Sequence, residues 1–212
     1  MPSASLYFLN NSSSVILPAA AMSKFSQFFE TGPRAIQQDG DPPLIDNCPS
    51  TFAELTAVVL PGYMVRLHAA MRNAHSLAEF CVSGDGVRTI LRRLRRSTDF
   101  SGCYVLTQDG KPFYVGISRS VIGRLRQHGT GKTHFDASLA YRMACEKVPH
   151  KMTRNAAMNN PEFQKEFQDA QRLLHGSSVA FIEIENPLEL YLFEAYCAVE
   201  LNTSKWNTFR TH

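Results

Sequence analysis

Residues 102–118 read Gly102-Cys103-Tyr104-Val105-Leu106-Thr107-Gln108-Asp109-Gly110-Lys111-Pro112-Phe113-Tyr114-Val115-Gly116-Ile117-Ser118. Two short runs of aromatic and β-branched residues, 104–106 and 113–116, flank Gln108-Asp109-Gly110-Lys111. An Asp-Gly pair between such runs predicts a β-hairpin, because both residues tolerate the positive φ a tight turn demands. The reading extends outward from this hairpin. Ser118 can cap a helix to His128, which Gly129 and Gly131 end. Residues 135–147 read as helical and Pro149 closes them, while Pro161 suits the first turn of a helix to Leu174. Residues 178–184 form a third strand, and Pro187 opens a last helix over 188–201. Strand, strand, helix, helices, strand, helix predicts the α/β class, with a small, largely antiparallel three-stranded sheet flanked by helices.

Upstream, the period is helical from Ser50. Ser50 is the expected N-cap of a helix that Pro61-Gly62 stops. Further helices are expected over 64–72, 77–82 and 86–96, the last with Val87, Ile90, Leu91 and Leu94 on one face. Residues 1–49 mix Ser, Asn, Pro and Gly with short apolar pieces. They read as irregular apart from one short helix over 23–30 and a turn at 39–43. The expected organisation is an irregular segment 1–49, a helical region 50–97 and an α/β module 98–212.

The chain has 212 residues, 44% of them hydrophobic and 19% charged, enough to bury a substantial core and too few charges for a charge-rich disordered chain. No apolar run approaches the ~18 residues of a membrane span, so no membrane partner is expected. The segment 1–21 has no basic start, which argues against a signal peptide, and Met22 is a rival start codon. Five widely spaced cysteines without a CxxC suit reduced thiols and a cytoplasmic setting, not a disulfide framework or a cysteine zinc site. The net charge of +3 hides an asymmetry. From Arg88 to Lys132 there are ten basic residues against two acids, Asp99 and Asp109. Such a concentration is what a polyanion partner would meet. Arg88, Arg92, Arg93, Arg95, Arg96, Arg119, Arg126 and Lys132 are its candidate DNA contacts.

Laid on this scaffold, a particular set of groups comes into view. A two-stranded hairpin can bring the phenols of Tyr104 and Tyr114 to one region. Arg124 and His128, four apart, share one helix face. Glu194 lies in a helix made apolar by Leu190, Leu192, Phe193 and Cys197, where a carboxylate costs energy unless it has a partner. Two phenols, a guanidinium, an imidazole and a carboxylate are what phosphodiester hydrolysis needs. Arg neutralises phosphate, a carboxylate holds a divalent metal, and a phenol or imidazole takes a proton from water.

These residues give the chain a resemblance to the GIY-YIG nuclease family. The first half of the motif stands as Gly102-Cys103-Tyr104, the second as Tyr114-Val115-Gly116. Arg124 follows eight residues after Gly116, His128 four later, and Glu194 precedes Asn207 by thirteen. Cys103 departs from the family's Ile or Val; it alternates to the opposite face from Tyr104, so a packing change alone is expected. The resemblance implies a metal-dependent DNA endonuclease with five side chains converging on one cleft. In it Tyr104 is general base or water-orienting group, assisted by His128. Tyr114 hydrogen-bonds near the phosphate and Arg124 stabilises its charge. Glu194 binds one Mg²⁺ or Mn²⁺, and Gly116 and Asn207 support the site.

Restriction enzymes, homing nucleases and repair nucleases share the family, and a restriction-type or small bacterial or phage nuclease is the expected kind. Specificity is expected from residues 1–97, from 129–178, or from a homodimer. A binding module that keeps the fold without turnover is the alternative. Gly129-Thr130-Gly131-Lys132-Thr133 imitates a phosphate loop, but the position that should hold its first glycine is Arg126, and it follows a helix where a strand is needed. His68, His75, His150 and His175 have no metal-ligand spacing.

Overall fold

Asp109 and Gly110 both sit at positive φ, 51° and 74°, so the chain reverses within two residues. This turn joins β2, Gly102–Gln108, to β3, Lys111–Ser118, as an antiparallel hairpin. The computed structural model describes residues 44–209. The short helix expected over 23–30 and the turn at 39–43 lie outside the described residues.

Among the described residues the sheet has four strands, all antiparallel, in the order β1-β4-β2-β3. β4 is Ser178–Glu183, and β1 is the two-residue strand His75–Ser76. This corrects the expected three-stranded sheet. Two residues are too few for alternation to be visible in a sequence. β1 is held by pairing to β4 and by His75 stacking on Phe181 at 5.5 Å. The turn after it is a 3-10 helix, Leu77–Phe80, in place of the helix expected over 77–82.

The first long helix, α1, begins as Phe52–Glu54, passes through a π-helical stretch Leu55–Val59, and continues as Leu60–Met71. Its N-cap is Thr51, not Ser50, in a capping box with Glu54. Pro61-Gly62 does not stop it. Proline has no N–H to donate and its ring crowds the carbonyl four residues back. Wider winding just upstream, with Leu60 N–H donating to Leu55 O, lets the helix carry Pro61 in its next turn. The remaining helices are α2 (Val87–Arg93), α3 (Val121–Thr130), α4 (Ser138–Lys147), α5 (Arg154–Met158), α6 (Pro161–His175) and α7 (Pro187–Glu200). Among the described residues no helix is long and apolar enough to cross a membrane.

β2 is buried on both faces, so alternate residues enter two cores. Tyr104 and Leu106 join Tyr114, Ile122, Leu125, Phe163 and Phe167 on one side. Leu77, Phe80 and Ile90 share this core, so the helical region upstream of β2 and the α/β module pack as one. Cys103 and Val105 join Val115, Ile182, Leu60, Leu67, Phe193 and Cys197 on the other side. Helix α3 therefore covers one face of the sheet and α7 the opposite face.

Candidate functional site

Tyr104 pairs across the hairpin with Gly116, and Tyr114 with Leu106, which puts both phenol rings on one face. Their centroids are 6.2 Å apart. Gly116 is what makes room: a Cβ there would lie 2.4 Å from both Cζ and Oη of Tyr104. The ring runs over the glycine and its hydroxyl reaches helix α3, where it hydrogen-bonds His128 Nε2 at 2.8 Å. Both residues are 0% exposed. Burial pushes the Tyr104 phenol well above its ordinary range, with Tyr114 adding to the rise and Arg124 opposing it. Burial, then the Arg124 and Arg142 charges, bring His128 down to about 3, so its imidazole is neutral at physiological pH. Among the described residues His128 Nδ1 is buried without a partner.

Helix α3 carries Arg124 and His128 on one face, and its N-terminus is held from outside the helix. Asp99 accepts hydrogen bonds from the backbone N–H of Ile122 and of Gly123, each 2.9 Å. The expected cap, Ser118, accepts only from Ser120 N–H at 3.0 Å, ahead of the helix; the carboxylate that precedes β2 serves the first turn instead and complements the helix dipole. Asp99 is thus a positioning residue that sequence reasoning missed, since 23 residues separate it from Ile122. The Arg124 guanidinium donates to Asp136 O and Ser138 Oγ at 2.7 Å each and to Gln127 Oε1 at 3.4 Å. It ties α3 to the start of α4 while its charge bears on Tyr104, Tyr114 and His128.

Tyr114 is 8% exposed. Its ring lies 5.9 Å from that of His128 and 5.6 Å from the guanidinium carbon of Arg142 on α4. Arg142 is a second missed residue: a half-buried cation in the middle of α4, visible in the sequence only as one arginine in a helical run. It donates to Trp206 O at 2.6 Å. Next to Trp206, the Asn207 side chain accepts from Val115 N–H at 2.9 Å and donates to Val115 O at 2.8 Å, bracing β3 beside Tyr114.

Glu194 comes from the opposite side. Its helix packs on the second core, and among the described residues no hydrogen bond or ion pair joins it to Arg124. It lines an open pocket of about 220 Å³ with Ser101, Ile117, Ser118, Arg119 and Tyr191. Its charge raises Tyr114, and the Arg142 charge opposes the rise that burial imposes on Glu194 itself. Four of the five residues expected in one cleft therefore form a packed cluster, and Arg142 links that cluster electrostatically to the fifth. Among the described residues Glu194 has no hydrogen bond or ion pair. A half-buried carboxylate without a partner fits a hard divalent cation that takes one protein oxygen and keeps several waters. A cage of three or more His, Cys, Asp or Glu side chains is not present among the described residues.

The basic residues divide. Arg88, Arg92, Arg95, Arg119 and Lys132 are exposed. Arg93 is spent on Asp85 and on Glu79 O, and Arg96 on Glu183 and the Phe100 ring. Arg126 donates to Asp85 O. An arginine-rich helix face thus includes internal struts as well as free charge. Compared with family models, with curated proteins and with solved structures, the chain finds no match.

Proposed function

We propose that the chain is a GIY-YIG-like, metal-dependent endonuclease that hydrolyses phosphodiester bonds in DNA. In this reading β2, β3 and β4 are the family's three-stranded sheet and β1 is an addition to it. The observation that carries the reading is the 2.8 Å contact between Tyr104 and His128, in a cluster with Tyr114 and Arg124. A phenol hydrogen-bonded to a neutral imidazole can pass its proton to Nε2 as it takes one from water, so no free phenolate need form in a buried place. His128 is a weak base at rest. A phosphodiester beside Arg124 and Arg142 would offset two of the charges that depress it and raise its basicity when substrate is bound. Arg124 would meet charge growing on the phosphate, and Tyr114 would hydrogen-bond close to it. Mg²⁺ or Mn²⁺ on Glu194 would stabilise the leaving oxygen.

The full burial of Tyr104 and His128 favours a second reading, a nucleic-acid-binding module that keeps this fold without turnover. Supercoiled plasmid incubated with the protein, with and without Mg²⁺ or Mn²⁺, separates them, with Glu194→Ala as control. Metal-dependent nicking that Glu194→Ala abolishes supports the nuclease. Binding without cutting in either metal supports the module, and absence of both sinks the two readings together.

A further inference from the structure

We infer that Arg142 is a second phosphate ligand of the site, contributed by helix α4, and that it grips the phosphodiester under attack beside Tyr114. The inference rests on the phosphodiester reading above. Three observations lead to it. The first is donor supply. A guanidinium carries five N–H groups. Among the described residues Arg142 uses one of them, toward Trp206 O, and it makes no ion pair. Arg124, by contrast, already gives three hydrogen bonds within the protein.

The second is position. Arg142 is half-buried, with its guanidinium carbon 5.6 Å from the Tyr114 ring centroid. None of its nitrogens is both sealed from the surface and without a partner, so the donors not spent on Trp206 can be reached by an anion. A planar fork is the group suited to take a phosphate bidentately. The third is field. Arg142 stands 5.6 Å from the Tyr114 ring, itself 5.9 Å from the His128 ring, so an anion bound to it sits beside the Tyr-His pair, within the Arg142 field. The Trp206 contact aims the fork, because Asn207 anchors the same segment to β3.

The test compares wild type, Arg142→Ala and Arg142→Lys, with Arg124→Ala alongside. Binding of a short DNA duplex is measured in EDTA from about 50 to 200 mM salt, and cleavage in Mg²⁺. Arg142→Ala should lower the slope of log K against log salt by about 0.9, the loss of one phosphate contact. It should also lower the cleavage rate on the order of 10²-fold. Arg142→Lys can still reach Trp206 O and keeps the charge. Its Tm and salt slope should stay at wild-type values while the rate falls by a similar factor, because the fork is gone. If Arg142→Ala binds with the wild-type slope and cuts at the wild-type rate, Arg142 is only a strap for Trp206 and the inference is wrong. If Arg142→Ala does not fold, Arg142→Lys decides: wild-type cleavage by that variant overturns the fork. Wild type that binds but never cuts removes the nuclease reading and leaves Arg142 to the salt slope alone. Wild type that binds no DNA removes both.

Discussion

Replacing Gly116 by Ala puts a methyl carbon 2.4 Å from Cζ and Oη of Tyr104. Carbon contacts settle near about 3.5–4.0 Å, so one partner must yield by about 1 Å. The glycine is fixed in the middle of a paired strand, and the tyrosine is 0% exposed with its hydroxyl bonded to His128. A ring displaced by that much cannot keep its 2.8 Å hydrogen bond. Overpacking of a core costs about 1–3 kcal/mol and a lost hydrogen bond about 1 kcal/mol more, so the variant should lose about 2–4 kcal/mol. At about 2–4 °C per kcal/mol for a chain of this size, Tm should fall by about 5–15 °C. The cause is tested by a double-mutant cycle. In a Tyr104→Ala background the three atoms nearest the methyl are gone, so Gly116→Ala should be nearly neutral there, with a coupling energy close to the full cost. The readouts are thermal unfolding and the His128 ring signals in an NMR spectrum. Equal destabilisation in both backgrounds, or an unchanged His128 environment, would refute the account of why Gly116 is glycine.

Other outcomes follow from the same geometry. His128 is held down at about 3, so the unfolded chain takes up its proton first as pH falls. Stability should be full above about pH 6.5 and drain away toward pH 3, and His128→Gln should flatten that decline in a urea titration across pH. Glu194 is raised by burial, so at neutral pH its ionised form costs stability. Glu194→Gln should keep or raise Tm and preserve DNA binding while abolishing cleavage; a drop in Tm would mean the carboxylate has a structural partner. Asp99→Ala removes the acceptor for two helix N–H groups and should cost about 0.5–2 kcal/mol. Hydrogen exchange at the first turn of α3 should rise, and wild-type exchange rates there would count against the capping role.

What could be read in the chain was local. The Asp-Gly turn, the proline-opened helices at Pro161 and Pro187 and the four-residue spacing of Arg124 and His128 each depend on neighbours in sequence, and each is placed as the residues suggest. What escaped depends on distant partners. β1 exists only because β4 lies beside it. The cap of α3 arrives from Asp99, and Pro61 is tolerated because the helix widens upstream. Arg142 gains meaning only when α4 folds over Tyr114 and the 203–207 segment returns to meet it. Residue spacing alone could not show that α7, which carries Glu194, packs on the opposite face of the sheet from α3, because the two helices are far apart in the chain.

β3 is the outer strand of the sheet, and its exposed rim is a place where another chain could pair. At Val115 that rim is already occupied. Asn207 supplies one acceptor and one donor to the same residue, as a neighbouring strand would, from a side chain that cannot propagate a ladder. A strand added along β3 would first have to evict it. Asn207 thus acts as a stopper against self-association as well as a brace, and substituting it should be felt in solubility on storage as well as in any assay of the site.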